Sequence, residues 1–260
     1  MEPRDFQKAI EGLLFERAEA FESVGSTNDV VAEWTHEGTT GICLAFAEEQ
    51  TRGRGRSGRR WFTPPGSALA FSLLLDLTAA NQATLGKLSG LGALAVCEGL
   101  ESLYGLSPRI KWPNDVLLDG KKVCGVLAEA HWSGERMQAL ILGIGINVAR
   151  TAVPPAELLD FPAASVEEII GASVDRPGLL RKILERVLHW KERLDEKEFI
   201  NSWQQRLAYL NESIRLERLG AEPTVGVVKG LRDDGSLKLQ VDGEPQYFQA
   251  GEIHLRPLSN

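Results

Sequence analysis

Gln50-Thr51-Arg52-Gly53-Arg54-Gly55-Arg56-Ser57-Gly58-Arg59-Arg60-Trp61 packs five arginines and three glycines into twelve residues of a chain whose formal net charge is -7. Closely spaced glycines let backbone N–H groups approach an anion without side-chain obstruction. Guanidinium groups add permanently charged, bidentate donors suited to phosphate or carboxylate. The segment reads as an oxyanion clamp; as a merely solvated basic loop it would leave its interleaved glycines without a purpose. Gly53, Gly55 and Gly58 also satisfy the dinucleotide pattern GxGxxG. That fold needs a helix opening at the third glycine, whereas Arg59-Arg60-Trp61-Phe62-Thr63-Pro64-Pro65-Gly66 breaks any helix at once. A kinase-type glycine loop is equally unsupported, because no HRD or DFG motif follows.

Two further segments carry chemistry. In Lys111-Trp112-Pro113-Asn114-Asp115 the proline confines a strand pattern to a bulge or edge, where Asn114 and Asp115 can point at a ligand. Lys122 follows just past a turn and opens an otherwise apolar strand; taken alone it would be an ordinary surface lysine. In Ile141-Leu142-Gly143-Ile144-Gly145-Ile146-Asn147, strand alternation puts Gly143, Gly145 and Asn147 on one face and the bulky residues on the other. The bare face suits a flat ligand with Asn147 at its rim, or a neighbouring helix packed on the glycines.

The elements that must position these groups are legible in outline. Helical spacing runs from Asp5 to Phe15, and Ser26-Thr27-Asn28 offers an N-cap to a short helix containing Val30, Val31 and Trp34. Strand-length apolar runs lie at Gly41–Ala47, Leu69–Leu75, Arg109–Leu118, Lys122–Ala130 and Ala139–Val148, with Asp119-Gly120 as a hairpin turn. Asn81–Tyr104 reads as a long helix of low charge, with Gly86, Gly90, Gly92 and Gly99 for close packing. A proline-rich stretch, Val153–Ala163, precedes a capping box at Ser165–Glu168 and two amphipathic outer helices, about Pro177–Leu194 and Glu196–Leu210. Beyond Asn211 come short alternating runs, Ser213–Leu219, Thr224–Leu231, Leu237–Val241 and Pro245–Gln249. Gly220, Asp234-Gly235 and Asp242-Gly243 separate them, so they predict a small β-barrel leaning on the main domain.

The whole chain sets limits on function. Its 260 residues, 43% of them hydrophobic, can bury a large core without staples. The acidic balance argues against a general nucleic-acid coat, so any basic site must be local. Cys43, Cys97 and Cys124 stand alone in apolar runs with no metal-ligand spacing, and read as reduced core residues. With no secretory h-region and no membrane-length apolar run, the expected compartment is the cytosol.

Together the Ser26-Thr27-Asn28 triplet, the arginine–glycine loop ending in Trp61, Lys111–Asp115 followed by Lys122-Val123-Cys124-Gly125, and Gly143–Asn147 closely resemble the hallmarks of biotin protein ligases, in the family's order. The match runs from about Phe21 to Asn147 and resumes more loosely near the C-terminus. The resemblance implies an α+β fold. Residues 1–210 would form a catalytic domain with a mixed central sheet and flanking helices, and residues 211–260 a small SH3-like barrel. It implies activation of biotin by ATP as biotinyl-5'-AMP, then transfer to the ε-amine of a lysine on a biotin carboxyl carrier protein. Carried over residue by residue, Ser26, Thr27 and Asn28 hold the ureido ring near Gln50, and Gly125, Gly143 and Gly145 line the pocket. Gly55 and Arg56 belong to the loop that closes over biotin and phosphate. Arg54 and Lys122 are the catalytic cations, while Arg59, Trp61, Lys111, Asn114 and Asn147 face ATP. Mg²⁺ would arrive with the nucleotide, held mostly by phosphate oxygens and water, with no protein metal site. The loop is expected to be mobile when empty and ordered over the adenylate. Ser57 departs from the pattern, which commonly has a basic residue there.

The resemblance also implies a weak homodimer through a sheet edge. Many bacterial relatives carry an N-terminal DNA-binding domain, for which the residues before Ser26 are too few, so no direct operator binding is expected. The nearest rival is a lipoate-protein ligase of shared fold and adenylation chemistry, which a biotin-binding assay separates. A rival of another class is a noncatalytic nucleic-acid-binding module using the arginine loop and the barrel; its mark would be salt-sensitive RNA or DNA binding indifferent to biotin and ATP.

Overall fold

The computed structural model describes residues 1–76, 82–133, 136–218, 221–250 and 253–257. Seven strands form one mixed sheet: β1 (Arg17–Val24), β2 (Cys43–Gln50), β3 (Ala68–Leu75), β4 (Arg109–Lys111), β5 (Asp115–Leu118), β6 (Lys121–Ser133) and β7 (Arg136–Asn147), in the order β1-β2-β3-β7-β6-β5-β4. Only β1 and β2 pair in parallel. The helices are α1 (Pro3–Ile10), α2 (Thr27–His36), α3 (Gln82–Tyr104), α4 (Val166–Ile170), α5 (Arg176–Lys191) and α6 (Lys197–Gln205). A second, antiparallel sheet holds β8 (Ser213–Arg218), β9 (Thr224–Leu231), β10 (Leu237–Val241), β11 (Glu244–Phe248) and β12 (Ile253–Pro257), in the order β11-β10-β9-β8-β12.

The two faces of the large sheet are covered unequally. One carries α3, α5 and the main core, where Gly92 lets α3 close onto Val126 and Ile144. The other carries, as its one helix among the described residues, the short α2, which buries Val31 and Trp34 against Cys43, Ala45, Leu74, Ala139 and Ile141. Because α2 covers just one end of that face, the β3–β7–β6 floor beyond it stays available for a site. Register makes this floor flat: Ala70, Gly145 and Gly125 pair in one row across three strands, and Ser72, Gly143 and Leu127 in the next.

Several boundaries differ from expectation for visible reasons. The first helix stops at Ile10, with Gly12 at φ 76° just beyond, and the chain turns into β1, an edge strand the sequence reading missed. The Arg109–Leu118 run is two strands, since Pro113 has no N–H to continue the ladder; Lys111 pairs with Asp115 across a three-residue turn. The Asp119-Gly120 hairpin forms with both residues at positive φ, 49° and 74°. Ser165 caps α4 by accepting from the Glu168 amide, as the capping box predicts. The outer helices are not simply solvated: α5 buries Leu179, Leu180, Ile183, Leu184, Val187 and Trp190. Asn81, Leu219 and Gly220, to which expected elements extended, lie outside the described residues.

The small sheet leans on the large domain through specific bonds. The Trp112 indole N–H donates to the Gly235 carbonyl (3.0 Å), and the Leu231 amide donates to Gln204 Oε1 (2.9 Å). Cys43, Cys97 and Cys124 are free and buried, and burial pushes the Cys97 and Cys124 thiols up, away from the reactive thiolate.

Candidate functional site

A cavity opens over the glycine floor, walled by the start of α2, the arginine–glycine segment, the β4–β5 turn and the start of β6. It gathers every residue to which the resemblance gives a catalytic, biotin or ATP role except Asn147. Asn147 sits past its edge, buried, and its amide donates to the Ala164 carbonyl (3.2 Å), tying the end of β7 to the segment after the prolines.

At one end the groups are neutral. Ser26 occupies the N-cap position of α2 but its side chain makes no capping bond, so the triplet's polar groups are turned to the site instead. Gln50 Oε1 accepts from both the Thr27 amide (2.8 Å) and the Thr27 hydroxyl (3.1 Å). Ser72, fully buried on β3, joins the Thr27 hydroxyl (2.6 Å) and Asn28 Oδ1 (2.5 Å). A Cβ on Gly143 would sit 2.3 Å from that Asn28 oxygen, so only glycine admits the amide. Sequence reasoning missed Ser72; its signal was a lone hydroxyl in the apolar strand Ala68–Leu75.

The other end is ionic. Asp115 Oδ1 meets Lys122 Nζ at 2.6 Å, and its Oδ2 meets Lys111 Nζ at 3.1 Å. Burial alone would push the Asp115 carboxyl up; Lys122 and Lys111 outweigh it and hold it down to about 2. Burial lowers Lys111 against the pull of Asp115. Asp115 thus positions two lysines and is not a free ligand group. The proline-rich stretch fixes Lys122 from outside the sheet: the Lys122 amide donates to Pro162 (2.8 Å), and the Ala164 amide donates back to Lys122 (3.0 Å).

The arginine segment folds as a tight hairpin, with Gly55 N–H to Arg59 O (2.7 Å) and Trp61 N–H to Gly53 O (2.9 Å). Ser57 (φ 55°) and Gly58 (φ 73°) make its tip. The hairpin sorts its arginines. Arg56 is engaged by Asn114 Oδ1 (2.9 Å) in the field of Asp115, and burial lowers its pKa while leaving it a cation. Arg54 stands at the rim, in ion pairs with Asp29 (2.5 Å) and Glu129 (3.1 Å). Burial works against its charge, and these two acids outweigh it. Arg59 reaches Asp160 (3.2 Å). Asn114 also donates to the Val126 carbonyl (2.8 Å), so the Arg56 contact is anchored to β6.

Of the side chains and helices that could cover the bare glycine face, it is the Trp61 indole and not a helix that lies on it. A Cβ on Gly145 would meet its Nε1 at 2.3 Å, and one on Gly125 its ring at 3.1 Å. Lys122 Nζ lies 5.4 Å from the ring centroid. The indole N–H is buried without a hydrogen-bond partner, an arrangement that favours exchange for a ligand or a move of the ring.

A hard cation would find one carboxylate here, Asp115, already shared by two ammonium groups. Among the described residues, no three His, Cys, Asp or Glu side chains gather as a metal site. This donor set fits a Mg²⁺ carried chiefly by nucleotide oxygens and water.

Residues 20–147 match the model of the biotin/lipoate A/B protein ligase family, and residues 209–256 that of the biotin protein ligase C-terminal domain. A biotin--[acetyl-CoA-carboxylase] ligase of Paracoccus denitrificans is 36% identical, the alignment covering 83% of this chain and 91% of the relative. The bifunctional ligase/repressor BirA of Bacillus subtilis is 37% identical over 89% of this chain and 72% of its own length. The biotin protein ligase of Aquifex aeolicus, solved in complex with biotin and ATP, superposes with a TM-score of 0.81 at 32% identity, covering 94% of this chain and all of that one. Among the described residues no helix is long and apolar enough to cross a membrane.

Proposed function

The chain belongs to the biotin protein ligase family, and from that membership we propose how its site works: it condenses biotin with ATP to biotinyl-5'-AMP, then passes the biotinyl group to the ε-amine of a lysine on a biotin carboxyl carrier protein. The observation that carries this reading is one cavity with a neutral hydrogen-bonding end, a flat glycine floor and a cationic end. A ureido ring offers two N–H donors and a carbonyl to Ser26, Thr27, Asn28 and Gln50. The dithiolane ring of lipoate offers neither, so it would make none of the hydrogen bonds that this end can give a ligand. A nucleic-acid module would not need such an enclosed neutral end.

In the first half-reaction a carboxylate oxygen attacks the α-phosphorus and the bond to the β-phosphate breaks, releasing pyrophosphate; two anions approach and charge grows on the phosphoryl oxygens. Lys122, Lys111 and Arg56 are already placed to receive it, which makes the stabilisation electrostatic and preorganised. Arg56, not Arg54, is the arginine at this end, and we assign it the catalytic charge. Trp61 and Asn114 flank the nucleotide, while Asn147 acts through the Ala164 carbonyl by holding the wall. In the second half-reaction the carrier lysine attacks the mixed anhydride as the neutral amine, and AMP leaves.

We propose further that residues 1–210 and 211–260 are the two domains, that the protein works in the cytoplasm, and that it self-associates weakly. Direct DNA binding is not part of the proposal, in keeping with the net charge of -7. The test is single-turnover mass spectrometry with biotin and Mg-ATP, followed by a carrier domain. Biotinyl-AMP that forms and then moves to the carrier lysine supports the reading; a folded protein that makes no adenylate overturns it.

A further inference from the structure

Glu129 is an acid in the middle of the apolar run of β6, and the division of labour above gives it no task. Its carboxylate accepts from Asn28 Nδ2 (2.5 Å) and from Arg54 Nη2 (3.1 Å), and the same guanidinium reaches Asp29 through Nη1 (2.5 Å). One side chain therefore joins the sheet floor, the start of α2 and the arginine hairpin. The Asn28 contact has a chemical consequence. An ionised carboxylate only accepts, so it must face the amide NH₂, and this leaves Asn28 Oδ1 for the Ser72 hydroxyl. Reversing the amide would set two acceptors, Oδ1 and the carboxylate, against each other.

We infer that Glu129 is a positioning residue with two separable jobs: it orients Asn28 at the biotin end of the pocket, and through Arg54 it latches the hairpin over the bound adenylate. The inference rests on the proposed ligase function and deepens it. It gives Arg54 a place at the hinge of the loop's closure instead of in the charge-neutralising cluster. Retention matters because the mixed anhydride is lost if water reaches it or if it escapes before the carrier docks.

The two jobs respond to different substitutions. Glu129→Gln keeps an acceptor for the Asn28 amide but removes the charge that draws Arg54. Asp29→Asn loosens the same latch without touching the Asn28 amide. Glu129→Ala removes both functions. The experiment uses the full chain, with biotin affinity by calorimetry and the half-life of enzyme-held biotinyl-AMP by rapid filtration at several salt concentrations. Glu129→Gln and Asp29→Asn should each lose adenylate about fivefold faster, the scale of one partly exposed ion pair, with biotin affinity near wild type. Raising salt should speed wild-type loss toward the variants' rate and change theirs little. Glu129→Ala should in addition weaken biotin binding about tenfold, the cost of a buried amide left unpaired. A Glu129→Gln protein that holds its adenylate as long as wild type overturns the latch. Equal biotin affinities for the Ala and Gln variants overturn the orienting role. If the wild type makes no adenylate, the ligase reading falls and this inference with it; normal adenylation with unaltered retention in the variants defeats the inference alone.

Discussion

The two ends of the cavity solve opposite problems. At the Ser26 end the chain pairs its polar groups with one another: Thr27 with Gln50, and Ser72 with Thr27 and Asn28. A ligand gains there only by matching a pattern already set, so under the proposed function this end supplies selectivity. At the Lys122 end three cations, Lys111, Lys122 and Arg56, face one carboxylate, Asp115. Two positive charges are in surplus, so under the proposed function this end supplies rate. The glycine floor lets the two ends belong to one small cavity, with the Trp61 indole lying over Gly145 and Gly125 between them.

The sharpest way to break this division is Lys122→Ala. Removing one preplaced charge should slow adenylation by about 10²–10³, while biotin binding measured without ATP changes far less. Stopped-flow adenylation and calorimetry on the same variant decide it. An equal loss in both would mean that Lys122 serves ground-state binding and that the ends are not separate.

Asp115→Asn tests whether the acid at the ionic end is structural. Its folded pKa, about 2, lies below the ordinary carboxylate value of 3.8. A depressed carboxyl adds stability that is fully present above 3.8 and fades as pH falls through about 2. Wild type should therefore exceed Asp115→Asn by roughly 2 kcal/mol at neutral pH, with the gap shrinking in acid. Urea unfolding at a series of pH values measures it, and a gap indifferent to pH would show that Asp115 is not the charge holding the lysines.

Much of this site was legible because its groups sit in short contiguous segments where a strand's two-residue period fixes the face. Gly143 and Gly145 fell on the floor as alternation required, and Gly125 joined them through the β6–β7 register. Asn147 shares their parity but lies at the strand's end, where the chain after the prolines takes its amide. Parity reports a face and not how far along it a cavity extends. Arg54 and Arg56 show a harder limit. In a glycine-rich segment they are interchangeable to the eye; both line the cavity, but Arg56 reaches Asn114 at the ionic end while Arg54 pairs with Asp29 and Glu129 at the rim. Asp29, Ser72 and Glu129 act only through contacts between distant segments, so one sequence left at most a polar residue in an apolar strand as the hint. The edge strand β1 was missed because Arg17–Val24 carries charges, has no fully buried residue and looks like a linker.

Ser72→Ala gives a smaller effect than Lys122→Ala or Asp115→Asn and a more selective one. Ser72 touches no cation and lies beneath the triplet, so it can influence the reaction only through Thr27 and Asn28. Losing its hydroxyl leaves Asn28 Oδ1 one donor short in a buried place, a cost of about 1–1.5 kcal/mol for a neutral hydrogen bond. Biotin affinity should weaken about tenfold, with the KM for ATP unmoved and adenylation at saturating biotin close to wild type. A rise in the KM for ATP of the same size would show that the hydroxyl network reaches the ionic end, and that selectivity and rate are coupled through β3 instead of being divided between two walls.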